Sequence, residues 1–307
     1  MRLWFLCVGL FCSLVYQTHW EAPSAHATPI PPKRASGTDS VSLSYRVVGG
    51  VPMRVVYVDL NNPAVRVSAI TSKQIGKAES IWDLLARAQP TAAITGTYFC
   101  ATSKIPVGDI VIEGERVHFG GVGTALCITY DNQVRFIRQP LHRQRDWSNY
   151  RLVMGAGPRL LKDGQISLYP PGEGFRDKRV YASTIRTAVG VTRHNKLVLV
   201  TTTRPATLRT LARAMRHLGV TDAIALDGGG SSTLYYRRTV LVPPKRKLTN
   251  LLVVYEDPTV YEERIARLKP NVRHARYSSF TPRPSRESFG GVRVGVHSRP
   301  AGSSPSR

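Results

Sequence analysis

The sequence predicts an α+β fold, namely a sheet-rich single domain with a few packing helices. Short apolar segments rich in β-branched residues recur between Gly-rich or polar turns, which is typical of strands. Only three segments have the apolar spacing of helices. The length of 307 residues and the apolar content of 42% are sufficient to bury one large core. A disulfide scaffold, a coiled coil and a largely disordered chain are excluded by the same composition.

Alternating or β-branched patterns predict strands throughout residues 41–255. Two tight hairpins are expected, one at Lys162-Asp163-Gly164 and one at Arg193-His194-Asn195. The predicted strands cover Val41–Val48, Met53–Leu60, Val65–Ile70, Ala92–Phe99, Asp109–Ile112, Ala125–Tyr130, Val134–Ile137, Leu152–Met154, Arg159–Leu161, Thr187–Thr192, Lys196–Thr202, Ala223–Leu226, Thr233–Tyr236 and Leu251–Tyr255.

Apolar residues at helical spacing predict three helices. Ser80 is the expected N-cap of the first helix, with Asp83 at the capping-box position. Thr207 and Gly219 are the expected ends of the second helix. The predicted helices cover Glu79–Ala88, Leu208–Leu218 and Val260–Leu268.

Residues 1–27 have the features of a secretory signal peptide. Arg2 precedes the apolar stretch Leu3–Tyr16, and Ala25-His26-Ala27 provides a small-residue cleavage site. The apolar stretch is shorter than the roughly 20 residues that span a bilayer. We therefore expect cleavage after Ala27, no transmembrane anchor after cleavage, and export to a periplasm, cell envelope or extracellular space. A retained membrane anchor is the alternative.

The remaining chain divides by composition. Residues 28–40 are rich in Pro and Ser and are expected to form a linker. Residues 41–256 are expected to form the folded domain. Residues 257–307 are expected to form a basic, disordered tail, since residues 269–307 contain eight Lys and Arg and a single acid. Such a tail is suited to an anionic envelope polymer.

The chain is strongly basic, with a formal net charge of +23. Most of this excess lies in residues 41–256, which contain 30 Lys and Arg against 14 Asp and Glu. A basic surface favours anionic partners but does not choose among them. The absence of a recognised nucleic-acid motif argues against nucleic acid as the partner.

Removal of the predicted leader leaves two cysteines, Cys100 and Cys127. In an oxidising compartment we expect them to form a disulfide, and two separate buried thiols are the alternative. The histidines show no spacing typical of a metal site, so neither a metal nor another cofactor is predicted.

The most informative segment is Asp227–Thr233, in which an apolar strand is followed by a carboxylate, three glycines and three hydroxyls. Consecutive glycines allow backbone N–H groups to approach an anion closely. The adjacent hydroxyls can donate hydrogen bonds to phosphate or sugar oxygens. A tight turn with an acidic cap is the alternative interpretation. The segment is not a P-loop, because no Gly-Lys-Ser/Thr follows at the required spacing.

Four motifs in this order and spacing resemble the phosphodiester glycosidase family. The family pattern runs Asn-Gly-x-Tyr-Phe, Gly-Pro-x-Leu-x-x-Asp-Gly, Pro-Arg-Thr-Ala-x-Gly and Leu-Asp-Gly-Gly-Gly-Ser-Thr/Ser. The resemblance covers about residues 41–256. The corresponding segments here are Thr95–Phe99, Gly157–Gly164, Ile185–Gly190 and Leu226–Ser232.

The resemblance implies an exported hydrolase that cleaves the glycosidic bond of a sugar-1-phosphodiester, of the N-acetylglucosamine type, in an envelope or extracellular glycan. Arg186 is expected to bind the phosphate, because a guanidinium can meet two phosphate oxygens at once. Asp227 is expected to act as the base or to stabilise the oxocarbenium-like transition state. The remaining candidates for substrate binding are Gly228, Gly229, Gly230, Ser231, Ser232, Thr97 and Asp109.

Two further carboxylates are candidates for a second acid or base. Asp163 lies in a hairpin turn, and a structural role there is the alternative. Glu173 lies in a Gly/Pro loop, for which a lid over the site is one interpretation and a merely solvated side chain is the other.

Two other functions remain open from the sequence. Thr95 and Ile185 replace the Asn and Pro of the family pattern, which favours a catalytically impaired binder of anionic glycan. The high net charge leaves a basic nucleic-acid-binding protein as a third alternative.

Overall fold

The computed structural model describes residues 39–271 except residue 142. The predicted signal peptide, nearly all of the predicted linker and the tail from residue 272 onward lie outside the described residues. The described chain folds as three antiparallel sheets with three α-helices. The α+β prediction is therefore right in kind, although the fold is mostly β. Within the described residues, no helix has the length and apolarity needed to cross a bilayer.

The largest sheet has seven strands and provides the framework of the fold. Every neighbouring pair in it is antiparallel. In spatial order its strands are β1 (Val41–Val48), β2 (Val51–Asp59), β13 (Lys196–Thr202), β12 (Thr187–Thr192), β14 (Val220–Leu226), β10 (Arg159–Lys162) and β11 (Gln165–Ile166).

Two five-stranded antiparallel sheets complete the β structure. The first has the order β16 (Thr239–Val242), β15 (Leu234–Tyr236), β4 (Ala92–Thr95), β17 (Asn250–Tyr255) and β3 (Arg66–Thr71). The second has the order β6 (Glu115–His118), β5 (Ile110–Ile112), β9 (Tyr150–Gly155), β7 (Thr124–Thr129) and β8 (Val134–Arg138).

The first two helices begin where their predicted capping residues place them, and the third begins two residues before the predicted Val260. Helix α1 (Ile81–Ala88) is capped by Ser80, whose hydroxyl oxygen accepts a hydrogen bond from Asp83 N at 3.1 Å. Helix α2 (Leu208–His217) is capped by Thr207 in the same way. Gly219 follows α2 with a φ of +77°, a left-handed conformation that favours glycine. Helix α3 covers Pro258–Leu268.

Side-chain alternation assigns the two faces of the seven-stranded sheet to two different cores. On β13, Leu197 and Leu199 face the core shared with the two smaller sheets, whereas Val198 and Val200 face α2. On β14, Ile224 faces the shared core and its neighbours Ala223 and Ala225 face α2. The strand β14 is thus buried on both faces, which explains its continuous apolar sequence.

The folded region continues beyond the boundary expected at residue 256. Helix α3 packs against α1 and β3, and its Tyr261 and Leu268 are fully buried. The tail was expected to begin at residue 257 from the basic composition of residues 269–307, but one apolar side of α3 completes the core of the first five-stranded sheet. The short strands β6 and β16 were not predicted, since their sequences are brief and half-exposed. The hairpin predicted at Lys162-Asp163-Gly164 is confirmed by the pairing of β10 with the two-residue strand β11.

The two cysteines do not form the expected disulfide. Both thiols are free: Cys127 is buried in β7, and Cys100 is exposed in the loop after β4. The alternative of two buried thiols is right for Cys127 and wrong for Cys100. The strand-like sequences around both cysteines gave no information about which sheet each strand joins.

We predict that Leu268→Ala lowers the free energy of unfolding by about 2–4 kcal/mol, because the leucine is fully buried and its removal leaves a cavity. Denaturant unfolding measures the change, and Glu262→Ala on the exposed side of α3 is the control. Equal stability of the two variants would show that α3 is not part of the folded domain.

Candidate active site

Three of the four sequence motifs meet where β12 and β14 pair. In this antiparallel ladder Thr187 stands opposite Leu226, so Arg186 and Asp227 lie at the same end. The Asp227 N–H donates to the carbonyl oxygen of Gly96 at 3.0 Å. The Gly229 N–H donates to the carbonyl oxygen of Ile185 at 2.8 Å. Backbone hydrogen bonds therefore hold the motifs at residues 95–99, 185–190 and 226–232 together.

Asp227 is the buried carboxylate of this meeting point. Its Oδ2 accepts a hydrogen bond from Arg246 Nη2 at 3.2 Å, and the Ser231 hydroxyl and the Gly228 N–H also stabilise the carboxylate. Burial raises the pKa of Asp227 to about 6, although Ser231, Arg246 and Gly228 act in the opposite direction. The group therefore changes its charge near neutral pH, as a general base or acid requires.

Arg246 covers the carboxylate from the solvent side. Its Nε donates to Ser231 Oγ at 2.6 Å, and its guanidinium carbon lies 4.7 Å from the ring centre of Phe99. The side chain is 42% exposed, so it can contact a bound anion. Arg246 was not among the sequence candidates. The cationic triplet Lys245-Arg246-Lys247 after a Pro pair is the signal that could have indicated it.

Tyr98 contributes a polar group, its buried hydroxyl, that has no hydrogen-bond partner within the described residues. Burial, together with the carboxylates of Asp227 and Glu173, raises the pKa of Tyr98 well above its ordinary value, while Arg186 opposes this shift. The ring packs against Phe175 at a centroid distance of 5.3 Å. An unpaired phenol close to Asp227 is free to donate to a bound substrate.

The side-chain amide of Asn250 fixes the loop that carries Tyr98. Its Oδ1 accepts from Thr97 N at 2.8 Å, and its Nδ2 donates to the Thr97 carbonyl oxygen at 3.3 Å. A Cβ atom at position 96 would lie only 2.0 Å from Asn250 Oδ1, so only glycine fits there. The buried Thr97 hydroxyl has no hydrogen-bond partner in the described region. Thr97 thus stays a candidate for substrate contact.

The glycine loop differs from the open anion nest that the sequence predicts. The N–H groups of Gly229, Ser231 and Ser232 all donate to backbone carbonyl oxygens of the protein. The Ser232 hydroxyl donates to the Ile185 carbonyl oxygen at 3.2 Å. The Gly228 N–H stabilises Asp227. The loop therefore positions the carboxylate rather than presenting a ring of free amides.

The Arg186 side chain is buried, whereas a side chain that binds phosphate needs access to the substrate. Its Nε donates to the Ala206 carbonyl oxygen at 3.1 Å, and its Nη2 donates to those of Val180, at 2.9 Å, and Ala182. Burial lowers the pKa of Arg186. These hydrogen bonds tie the segment 180–182 to the end of β12. Nη1 makes none of them and is available to a ligand.

Asp109 has a structural role, which corrects the expected substrate contact. Its Oδ1 accepts from the N–H groups of Gly120 and Gly121 at 2.9 and 3.0 Å, and its Oδ2 accepts from the Trp147 indole at 2.6 Å. The side chain is buried. Because both oxygens are occupied, Asp109 holds the loop after β6 and the ring of Trp147 in place.

The two other carboxylates are placed differently. Asp163 is exposed in the turn between β10 and β11, with a φ of +50°, in agreement with the structural alternative. Glu173 is buried, and it accepts from Thr124 Oγ1 at 2.5 Å and from Arg159 N at 2.8 Å. The alternative of a solvated side chain is therefore wrong for Glu173, which ties its loop to β7 and β10. No group of three or more His, Cys, Asp or Glu side chains in the described region could hold a metal ion.

The family model for phosphodiester glycosidases matches residues 88–255, more than half of the chain. The chain therefore belongs to the phosphodiester glycosidase family. No curated protein sequence matches it.

Two solved structures show the same fold. A hypothetical protein from Synechocystis superposes with a TM-score of 0.61 at 16% identity, over 70% of this chain and 61% of that one. The catalytic domain of zebrafish N-acetylglucosamine-1-phosphodiester alpha-N-acetylglucosaminidase, auto-inhibited by its pro-peptide, superposes with a TM-score of 0.56 at 20% identity. That match covers 72% of this chain and 85% of the zebrafish domain. The present chain thus spans less than two thirds of the Synechocystis protein.

We predict that Asp109→Ala destabilises the fold by about 2–4 kcal/mol, since it leaves two buried N–H groups and an indole N–H unpaired. Chemical denaturation measures this loss. Turnover per folded molecule should stay within about twofold of the parent. A variant of normal stability with a turnover reduced more than tenfold would restore Asp109 to the substrate site.

We predict that Asp227 makes the fold less stable as the pH rises from 4 to 7. The native pKa of about 6 exceeds the unfolded value of about 3.9, so the unfolded state loses its proton first and is favoured. The free energy of unfolding of the parent should fall relative to Asp227→Asn by about 2 kcal/mol over this range. Urea titrations of both proteins at several pH values measure the difference. A difference that does not change with pH would contradict the buried, proton-binding carboxylate.

Proposed function

We propose that this chain hydrolyses the glycosidic bond of a sugar-1-phosphodiester. Membership of the family supports the reaction type. The observation that carries the proposal is the pairing of a buried carboxylate, Asp227, with the half-exposed guanidinium of Arg246. A carboxylate and a cation at one point match a reaction that develops positive charge on the sugar and releases an anionic phosphate.

Arg246 is the primary phosphate-binding residue of this proposal. Its Nη groups lie beside Asp227 and its plane rests on Phe99, so it is held in position before the substrate binds. When a phosphodiester binds, its oxygens replace part of the contact between Arg246 and Asp227. Phosphate oxygens match a guanidinium in geometry and charge. Arg186, which the sequence predicts to bind the phosphate, contributes to binding only through Nη1. Its other guanidinium nitrogens hold the segment 180–182 and Ala206 in place.

Asp227 is the general base for the attacking water in the same proposal. The bond between the anomeric carbon and the phosphate oxygen breaks, and the phosphate leaves as a monoester with both bonding electrons. A water oxygen bonds to the anomeric carbon, and Asp227 takes the proton that this water loses. The leaving phosphate is already stable as an anion, so strong protonation by a second acid is not needed. This agrees with the engagement of Glu173 in structural hydrogen bonds.

Tyr98 and Thr97 complete the substrate contacts. Both carry buried hydroxyls without a partner in the described chain, and Asn250 fixes the backbone between β4 and these residues. The free-energy cost of leaving such groups unpaired is recovered when a sugar hydroxyl or phosphate oxygen accepts hydrogen bonds from them. The two hydroxyls thus select for a polar ligand.

The setting of the reaction follows from charge and from the N-terminal sequence. We propose an anionic glycan of an envelope or of the extracellular space as the natural substrate, with residues 1–27 as the export signal. The net charge of +23 supports an anionic polymer as partner. The same observation supports binding of an envelope polymer by the basic tail.

A catalytically impaired glycan binder is the second candidate. The observation that favours it is the glycine loop, in which the N–H groups of Gly229, Ser231 and Ser232 are used within the protein instead of being available to a phosphate. An activity assay on a defined diester separates the two functions.

We predict that the parent protein, residues 28–307, converts an α-N-acetylglucosamine-1-phosphodiester into the phosphate monoester, followed by phosphorus NMR. Asp227→Asn should reduce the turnover at least about 100-fold, because it removes the proton acceptor. Arg246→Gln should weaken substrate binding and raise KM more than it lowers kcat, since it removes the phosphate contact.

Asp163→Asn is the matched control, because it removes an equal charge from an exposed turn. Equal turnover in the parent and in Asp227→Asn would discard the role of Asp227 while keeping the activity. No turnover by the parent, together with tight binding of the diester, would establish the glycan binder.

A further inference from the structure

Three clefts adjoin one another around β8, on a surface that the proposed site does not use. Their volumes are about 480, 560 and 270 Å³. The first and second clefts share Arg145, the second and third share Arg138, and the first and third share Arg159. Asp227 lines none of these three. The clefts therefore form one continuous surface, which we call the β8 surface.

Cations without carboxylate partners dominate the β8 surface. Arg135, Arg138, Arg145 and Lys162 line it and are exposed. Among the described ion pairs, none joins these four side chains to an acid. Arg159, by contrast, is paired with Asp222. The surface thus carries uncompensated positive charge in a concave region, where the field of several cations adds up.

Aromatic rings line the same clefts. Tyr150 and Phe136 line the first cleft, and Tyr169, which is 67% exposed, lines the third. An exposed aromatic face beside cations suits a ligand with alternating apolar ring faces and negative groups. Polysaccharides that carry phosphate groups have this alternation.

The β8 surface also leads toward the proposed site. Glu173 lines the third cleft, and Phe175, two residues further along the same loop, packs on Tyr98 at 5.3 Å. Tyr98 in turn lies close enough to Asp227 for the carboxylate to raise its pKa. The loop that lines the third cleft is therefore the same loop that contacts the tyrosine of the proposed site.

We propose that the β8 surface is an accessory binding site for a phosphate-bearing polysaccharide chain. Arg135, Arg138, Arg145 and Lys162 contact its phosphate groups, and Tyr169 and Tyr150 contact its sugar rings. The choice of a glycan rests on the proposed function, but binding at this surface requires no hydrolysis. The site lies apart from Asp227 and Arg246 and serves to hold a long substrate on the enzyme.

A charge-matched pair of variants of the full chain tests this site. The first variant carries Arg135→Gln, Arg145→Gln and Lys162→Gln. Arg138 is left intact because it donates to the Gly172 carbonyl oxygen and so supports the loop of Glu173. The control carries Arg209→Gln, Arg213→Gln and Arg216→Gln, three exposed arginines on α2. Both variants lose the same net charge.

The probe is a phosphorylated mannan, with the same mannan after removal of its phosphate and a single-stranded DNA oligonucleotide for comparison. Calorimetry at about 0.1 M salt should show roughly tenfold weaker binding of the phosphorylated mannan to the β8 variant and less than a twofold change in the control. Turnover of the small soluble diester should be the same in both variants. The phosphate-free mannan should bind much more weakly than the phosphorylated form.

Each contrary result overturns the proposal in a distinct way. An equal loss in both variants would mean that the net charge alone attracts the polymer. Equal binding of both mannans would exclude phosphate recognition. Tighter binding of DNA, lost only in the β8 variant, would make the surface a nucleic-acid site. Retained mannan binding in the β8 variant would overturn the accessory site. Absence of diester turnover in the parent, with mannan binding that is lost only in the β8 variant, would count against the proposed function and leave the accessory site in place.

Discussion

The antiparallel pairing of β12 with β14 is the constraint on which the candidate site depends. It places Arg186 and Asp227 at one end of the same ladder, and the Asp227 N–H then reaches across to Gly96 at the end of β4. The seven-stranded sheet and the first five-stranded sheet are joined at this point. Because β14 is buried on both faces, a slip by one residue would move Ile224 into the core under α2 and an alanine into the shared core, so the packing fixes the position of Asp227.

The burial of Asp227 is both a cost to the fold and the basis of its chemistry. An isolated carboxylate in a dry site is unfavourable, and the Ser231 hydroxyl, the Gly228 N–H and Arg246 only partly offset that penalty. The remaining penalty appears as the raised pKa. The protein thus holds a carboxylate that is easily protonated beside a guanidinium that is free to meet an anion, and such strained polar groups are typical of active sites.

Buried polar groups in this domain fall into two kinds. Asp109 and Glu173 have their oxygens occupied by N–H or O–H donors of the protein, and the guanidinium of Arg186 is largely bound to carbonyl oxygens. These groups connect loops to sheets. The hydroxyls of Tyr98 and Thr97, by contrast, are buried without a partner in the described chain. Unpaired buried hydroxyls also occur on β3 and β13, at Ser68, Thr71 and Thr201, so it is the position of Tyr98 and Thr97 on the loop beside Asp227 that makes them ligand-binding candidates.

Local sequence was sufficient for the features that depend on neighbours along the chain. The period of the apolar residues predicted α1 and α2 and most strands, and Ser80, Thr207 and Gly219 marked helix ends because capping involves residues only a few positions apart. The glycine loop after β14 and the motif order identified the family. All of these signals are contained in short segments.

Only the tertiary structure decided which polar side chains have hydrogen-bond partners within the protein and which are available to a ligand. Asp109 and Arg186 carry the residue types of a binding site, yet their partners are backbone groups and the Trp147 indole, between 4 and 38 residues away, which no local pattern reveals. Arg246 is nineteen residues from Asp227 in the sequence, in a basic triplet like others in this chain, and only the fold brings it to the carboxylate. The sequence determined that Asp227 would end a buried strand. The packing of separate segments around that strand determined what the carboxylate meets there.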